Sequence, residues 1–358
     1  MKDSLRKDIV IIGQGIAGSA LALSCIKRGM SVLIIDSGIK NTSSRVAGAL
    51  INPIVIKRLN LVHRAAECLS EAHKFYTSLE STDTKIWFPK AVYRIFPGKH
   101  EVDQWMQKCV QPDTESWLDK DIKMDGAETY YINENGSGKI NHTAWIDAAL
   151  CMDILEQKFT GTGSLMHKTI DYKDIEITEE GFRIDKVTAG KLIFSEGHLA
   201  RFNPYFRHLP FNPCKGEVLQ LETTVPVPDF VAQRDAFITP VGPTIVKCGS
   251  TYEWDDLSPE PTESGASILQ KKADQLLRLP YKVTGHVAGI RPSTDDRRPY
   301  LGEHPEIKGM FIFNGLGTRG YLLAPLYAEE MADHILNNKP IDPEADIRRY
   351  ERFYSPVK

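Results

Sequence analysis

The chain lacks several features that would have settled its class at once. No run of apolar residues approaches the ~18 that a membrane-spanning helix requires. Charge of neither sign dominates: 44 Lys and Arg against 47 Asp and Glu give a formal net charge of −3. No global basic field therefore advertises nucleic acid or an anionic membrane. The six cysteines, Cys25, Cys68, Cys109, Cys151, Cys214 and Cys248, are scattered, with no C-x-x-C and no Cys/His spacing suited to zinc. They read as reduced, buried thiols, and no metal site is expected. There is no low-complexity tract and no internal repeat. The first predicted strand starts within ten residues of Met1, leaving no room for a secretory signal, so the expected location is the cytoplasm.

What remains is an ordinary globular composition, 42% hydrophobic and 25% charged, over 358 residues. That length can bury one large core or two medium ones. Near the start, "DIVIIG" reads as a buried parallel strand ended by glycine. Small and apolar residues from Ile16 to Ile26 predict a packed helix, and "SVLIID" a second buried strand. Between first strand and helix lies "GQGIAG", with G-x-G-x-x-G spacing. This βαβ unit is the context in which such a fingerprint carries meaning. Gly13 permits a tight turn, Gly15 lets backbone approach a pyrophosphate, and Gly18 lets helix and strand pack closely. Ile16 and Ala17 open the helix, whose free N–H groups and positive dipole end suit phosphate. Asp36, 18 residues past Gly18, ends the second strand, followed by Ser37. Its carboxylate suits a ribose diol and repels a 2′-phosphate, which leaves NAD or FAD and excludes NADP.

A nicotinamide dehydrogenase normally continues with further βα units. Here "SGIKNTSSRVAGALINPIVIKR" follows instead, rich in Ser, Thr, Gly and Ala. "SSRVAGALINP" resembles the second cofactor loop of the D-amino-acid-oxidase-like flavoenzymes, a group containing glycine oxidase, sarcosine oxidase and the MnmC-type tRNA-modifying oxidoreductase domain. The resemblance implies phosphate contacts at Ser43 and Ser44 and flavin contacts at Ala47, Gly48 and Leu50. It also places Ile170, within "LMHKTIDYKDIEI", near an adenine. "AGKLIFSEG", ending in Gly197, takes the place of the family's apolar strand, with Ser195 where alanine is usual. The resemblance runs from Asp8 to about Asn337.

Toward the C-terminus, "GMFIFNG" reads as a buried strand, "GLGTRG" as a glycine-rich turn and "YLLAPLYAEEMADHILNN" as a helix carrying Pro325 near its beginning. A helix N-terminus against a flavin would stabilise the negative charge that reduction places on the N1–C2=O edge. The resemblance implies this role for Gly315, Gly317, Thr318, Arg319 and Gly320. Thr318 stands where glycine oxidases carry arginine, and the order "G-T-R-G" is closer to the tRNA-modifying branch. "GIRPSTDDRRPYLG", with Gly289 before it, resembles the stretch whose arginine holds a substrate carboxylate; the equivalent is Arg291. The alternative is an arginine paired with an aspartate of "STDD". Arg297 and Arg298 read as a solvated or salt-bridged turn. Tyr252 is the expected pocket hydroxyl, Phe237 a pocket wall and Trp254 a weaker candidate, all three equally compatible with sheet packing. No cysteine follows Cys248, so FAD is expected to be non-covalent.

The expected fold class is α/β: a Rossmann-like FAD-binding domain with an interleaved, antiparallel β-rich substrate domain. Segments 1–85, 145–205 and 285–340 are assigned to the FAD-binding domain, 86–144 and 206–284 to the substrate domain, and 341–358 to a tail. The resemblance implies oxidation of the C–N bond of an amino acid or N-substituted glycine, with hydride passing from Cα to flavin N5. The expected partner is a small amino-acid-like carboxylate. Two alternatives stay open. One is a tRNA-modifying oxidoreductase acting on a carboxymethylaminomethyl group, which the net charge does not favour. The other is a flavin-binding protein without turnover.

Overall fold

The computed structural model describes residues 5–122 and 128–354. Residues divide by contact into two units, the first comprising Met1–Arg45, Ala149–Cys214 and Ile290–Lys358, the second Val46–Ala148 and Lys215–Gly289.

The apolar runs of the sequence become the parallel sheet of the first unit, in the order Leu165–His167, Val32–Asp36, Leu5–Ile12, Val187–Phe194 and Met310–Asn314. Ile12 pairs with both Ile35 and Phe194, and Phe194 with Ile312, so the carboxyl ends of the strands lie level. Two antiparallel additions flank them: the hairpin Ile175–Thr178/Gly181–Ile184 and the strand Tyr300–Glu303. Val10, Leu33, Leu192 and Ile312 are almost wholly buried, as expected of strands covered on both faces.

Two helices of this unit run side by side and parallel. At one end a Cβ on Gly320 would lie 3.3 Å from Ile16 Cγ2. Further along, Ser24 Oγ donates to Glu329 at 2.8 Å. At the far end the Arg28 guanidinium meets Glu329 at 2.8 Å and Asp333 at 2.9 Å. Helices Ile16–Lys27 and Gly320–Asn337 are thus matched turn for turn, with their N-termini adjacent. Pro325 lies near the beginning of the latter, in its second turn, and is buried in an uninterrupted helix. Lacking an N–H, it forgoes one intrahelical hydrogen bond there.

The second unit is built on a seven-stranded sheet: Tyr281–Arg291, Cys214–Thr223, Ile245–Gly249, Phe237–Pro240, Val231–Gln233, Val92–Ile95 and Ser137–Ile140. From Cys214–Thr223 onward the neighbours are antiparallel except Val231–Gln233, which runs parallel to Val92–Ile95. Two helices, Lys99–Lys108 and Glu263–Asp274, interrupt stretches whose composition reads as strand-rich. Each buries a narrow apolar stripe: Trp105 with the following Cys109 on one, Leu269 with Ala273 on the other.

The contact division and the sequence segmentation differ over residues 46–85, which the division groups with the second unit. The reason is local pairing: Leu50–Ile51 joins Ala144–Ile146, which joins Trp87–Pro89. Residues of the tail belong to the first unit, where Ile347 is buried in its core and Leu301 N–H donates to Ala345 at 2.9 Å. Among the described residues, no helix is long and apolar enough to cross a membrane, and all six cysteines are buried.

Candidate active site

Gly13, after the first strand, sits at φ +107°, where an L side chain is strained. A Cβ there would also lie 2.3 Å from Ser195 O. Gly18 is fixed by a different constraint, since its Cβ would fall 2.0 Å from Gly13 O. The three segments, turn, helix and strand end, are packed backbone on backbone. Gly15 is the N-cap of Ile16–Lys27 and has no side-chain cap. Ser44 supplies part of what is missing: its Oγ accepts the Ile16 N–H at 3.0 Å. Its carbonyl in turn accepts the Tyr321 hydroxyl at 2.6 Å. One serine therefore joins the start of the first helix to the start of the last.

Asp36 ends its strand with both carboxylate oxygens in use. Oδ2 accepts Gln14 N–H at 2.7 Å and Oδ1 accepts Gly38 N–H at 2.8 Å. Each oxygen keeps a further lone pair for a ligand. Ser37 beside it is exposed, and Ser43 opens a short helix, Ser43–Val46. Arg45 in that helix pairs with Asp153 and Glu156 of Ala148–Gly161. The Lys40 ammonium hydrogen-bonded to Glu156 holds that carboxyl below its ordinary range.

Gly315 follows the last parallel strand at φ +75°, with Thr294 Cγ2 2.6 Å from where a Cβ would be. Gly317 N–H donates to Pro292 O at 3.3 Å, and Ser293 N–H donates to Arg291 O at 2.9 Å. The strap 291–293 is thus bonded to the C-terminal glycine turn, with Arg291 at its start. Arg291 Nη1 lies 3.6 Å from Cys214 Sγ. Asp296 of "STDD" is engaged by Arg349 at 2.9 Å. Arg298 pairs with Glu344 at 2.8 Å, and Arg297 is exposed at φ +61°. Thr318 is exposed, and Arg319 is the N-cap of Gly320–Asn337.

Gly197, at φ +60°, opens a short 3-10 helix, and its carbonyl accepts the Asn314 amide at 3.0 Å. Glu196, just before it, was not singled out by the sequence reading. Its carboxylate accepts the Tyr172 hydroxyl and the Asn203 amide, each at 2.8 Å. Burial outweighs those two bonds and pushes the carboxyl up to about 7. Ile170 falls three residues beyond the strand Leu165–His167 and packs against the core of the first unit. Nothing local in the sequence distinguishes Glu196 from a surface glutamate. Only the partners, 7 and 24 residues away, mark it.

In the second unit, Phe237 and Gly48 come together: a Cβ on Gly48 would lie 2.7 Å from the Phe237 ring. The same ring lies 2.7 Å from the Cβ position of Gly249. Ala47 is half-buried, Leu50 pairs with Trp145, and Gly289 is buried in Tyr281–Arg291. Tyr252 is 56% exposed and stacks on Trp254 with ring centroids 6.1 Å apart. Their loop is pinned by Lys215, fully buried, which meets Asp256 at 2.7 Å.

A family model described as FAD-dependent oxidoreductase matches residues 8–334. The chain belongs to the FAD-dependent oxidoreductase family. The MnmC bifunctional protein of tRNA 5-methylaminomethyl-2-thiouridine biosynthesis from Marinobacter nauticus is 26% identical, over 91% of this chain and 55% of its own length. Glycine oxidase from Geobacillus kaustophilus is 25% identical, over 92% of each chain. This chain thus spans about half of the bifunctional relative and nearly all of the glycine oxidase. Among solved structures, glycine oxidase from Geobacillus kaustophilus superposes with a TM-score of 0.78 at 21% identity, covering 97% of this chain and 98% of that one. Iminodiacetate oxidase from a Chelativorans species gives 0.79 at 17%, covering 96% and 98%. These superpositions show the fold.

FAD is the cofactor of this family, and the first unit fits it. Two helix N-termini adjoin at the carboxyl edge of a parallel sheet, where open α/β folds bind nucleotides. The glycine turns leave no room for side chains, and an acid stands at the end of the second strand.

Proposed function

We propose that this FAD-dependent oxidoreductase oxidises the C–N bond of an amino acid or N-substituted glycine, with Arg291 as the carboxylate clamp. The observation that carries the reading is the hydrogen-bonded strap from Arg291 to the Gly317 turn. It ties a guanidinium to the start of the helix assigned to the flavin edge. FAD, when bound, supplies the acceptor for the hydride that leaves substrate Cα as the amine becomes an imine. Arg291 holds the carboxylate in a planar, bidentate pair and so fixes the direction of Cα–H. The N-terminus of Gly320–Asn337 would stabilise negative charge on the reduced ring, and that of Ile16–Lys27 would hold the pyrophosphate with Ser44 beside it. Asp36 would accept from the ribose. In the second unit, Phe237 packs against Gly48, and Tyr252 is the proposed pocket hydroxyl.

The relatives support this class: one is named for glycine, and a structural neighbour for iminodiacetate, itself an N-substituted glycine. The test is anaerobic mixing of the purified flavoprotein with glycine, sarcosine and iminodiacetate. Loss of the visible flavin band with one of them is expected; no bleaching by any amino acid or N-substituted glycine refutes the reading. A second reading, action on a carboxymethylaminomethyl group carried by tRNA, draws on the "GLGTRG" order and the MnmC relative. Bleaching by modified tRNA and not by free glycines would select it.

A further inference from the structure

In the second unit, a hairpin and a helix enclose a concavity of about 230 Å³. Lys57, Arg58 and Lys108 line it with Gln104, Gln107 and Gln111, and no carboxylate does so among the described residues. In a chain with more acids than bases, such a lining is a local inversion of the overall charge. The hairpin pairs Ile54–Val55 with Asn60–Leu61. Its turn is closed by Arg58 and Leu59 N–H groups, both donating to Val55 O at 3.0 and 2.8 Å. Leu59 takes the left-handed conformation, φ +50°, yet is 7% exposed, its side chain in the core that also holds Trp105 and Cys109. Left-handed backbone is strained at a leucine, and burial of the side chain offsets that strain. The consequence is a tip whose two adjacent cations are carried on a rigid turn.

The facing helix completes the lining. Gln104, Gln107 and Lys108 share one face at i, i+3 and i+4, and Gln111 continues it. Asn60 Oδ1 accepts from Lys108 Nζ at 3.0 Å and steadies it. Lys57 and Arg58 side chains are exposed and make no ion pair or hydrogen bond among the described residues. The concavity is smaller than the ~300–1,000 Å³ of drug-sized pockets. It offers a guanidinium fork, two ammonium groups and amide donors, the set that recognises a phosphate oxyanion.

We propose that the Lys57–Arg58 hairpin tip, with Lys108, is a binding groove for phosphate groups. It is separate from the proposed oxidation chemistry and does not depend on it. The phosphate belongs either to a nucleic-acid backbone or to a small phosphate compound, and the experiment separates these sources. Wild-type holoenzyme and the triple variant K57A/R58A/K108A are titrated with a labelled RNA hairpin across a salt series, and with inorganic pyrophosphate by calorimetry. Weakening of RNA binding at least tenfold, with the log–log salt slope reduced by about 2, supports the groove with a nucleic-acid source. A tenfold loss confined to pyrophosphate supports it with a small-molecule source. Absence of binding of either probe to the wild type at low salt, or equal binding by the variant, overturns it. Flavin content and amine-driven bleaching are read in parallel and should be unchanged. If the triple variant is poorly folded, K57Q/R58Q carries the same test.

Discussion

Replacing Glu196 by glutamine should change the protein's stability by an amount that depends on pH. The carboxyl is raised from an ordinary 4.5 to about 7 by burial, against the opposing hydrogen bonds from Asn203 and Tyr172. Between those two values the folded protein keeps a proton that the unfolded chain releases. Stability from this group is therefore complete below pH ~4.5 and is lost as pH rises to ~7, by roughly 3 kcal/mol in all. Glutamine keeps the shape and removes the charge. Glutamine can turn its Oε1 to the Asn203 amide and its Nε2 to the Tyr172 oxygen, which accepts, so both contacts survive. Glu196→Gln should thus match wild type at pH 4 and be about 3 kcal/mol more stable at pH 8.5. Urea unfolding of both proteins by circular dichroism across that range gives the difference, from which the other titrating groups cancel. A difference that stays constant with pH refutes the argument that burial governs this carboxyl.

Arg291→Ala should raise KM for a carboxylate substrate by about 100-fold, the loss of a charge-assisted bidentate pair, while FAD stays bound. Unchanged steady-state kinetics removes the clamp. Gly18→Ala forces a Cβ to within 2.0 Å of Gly13 O, so Tm and bound flavin should both fall, by at least ~1–3 kcal/mol in stability; a normal melting curve argues against backbone-on-backbone packing there. Asp36→Asn leaves one of its two N–H partners, Gln14 and Gly38, on a weaker neutral acceptor and the other facing an amide NH2, and should weaken FAD at least about tenfold in equilibrium dialysis. Acid precipitation of the holoprotein should release intact FAD into the supernatant. Flavin that stays with the pellet would mean covalent attachment.

Much of the nucleotide half was legible because its signals are local. A β-branched run, a glycine turn, a packed helix and a terminal acid follow one another within residues 8–36, and each constrains its neighbour's conformation directly. The C-terminal strand, turn and helix were legible for the same reason. Helices Lys99–Lys108 and Glu263–Asp274 were hidden in strand-rich composition because each buries only a narrow apolar stripe against its unit's core. Glu196 was invisible because its ionisation is set by surroundings rather than by spacing.

The sequence by itself determined that this chain carries two glycine turns, each between a buried strand and a helix, and an acid suited to a ribose. It could not determine that the two helices lie in parallel register. That is decided by contacts spanning about 305 residues, Arg28 to Asp333 and Ser24 to Glu329. Nor could it join Ser44 to both helix starts, or bond the Arg291 strap to the Gly317 turn. Periodicity and turn chemistry act over a few residues. Which helix end meets which, and what charge a buried carboxyl keeps, are set by packing between segments that only the folded chain brings together.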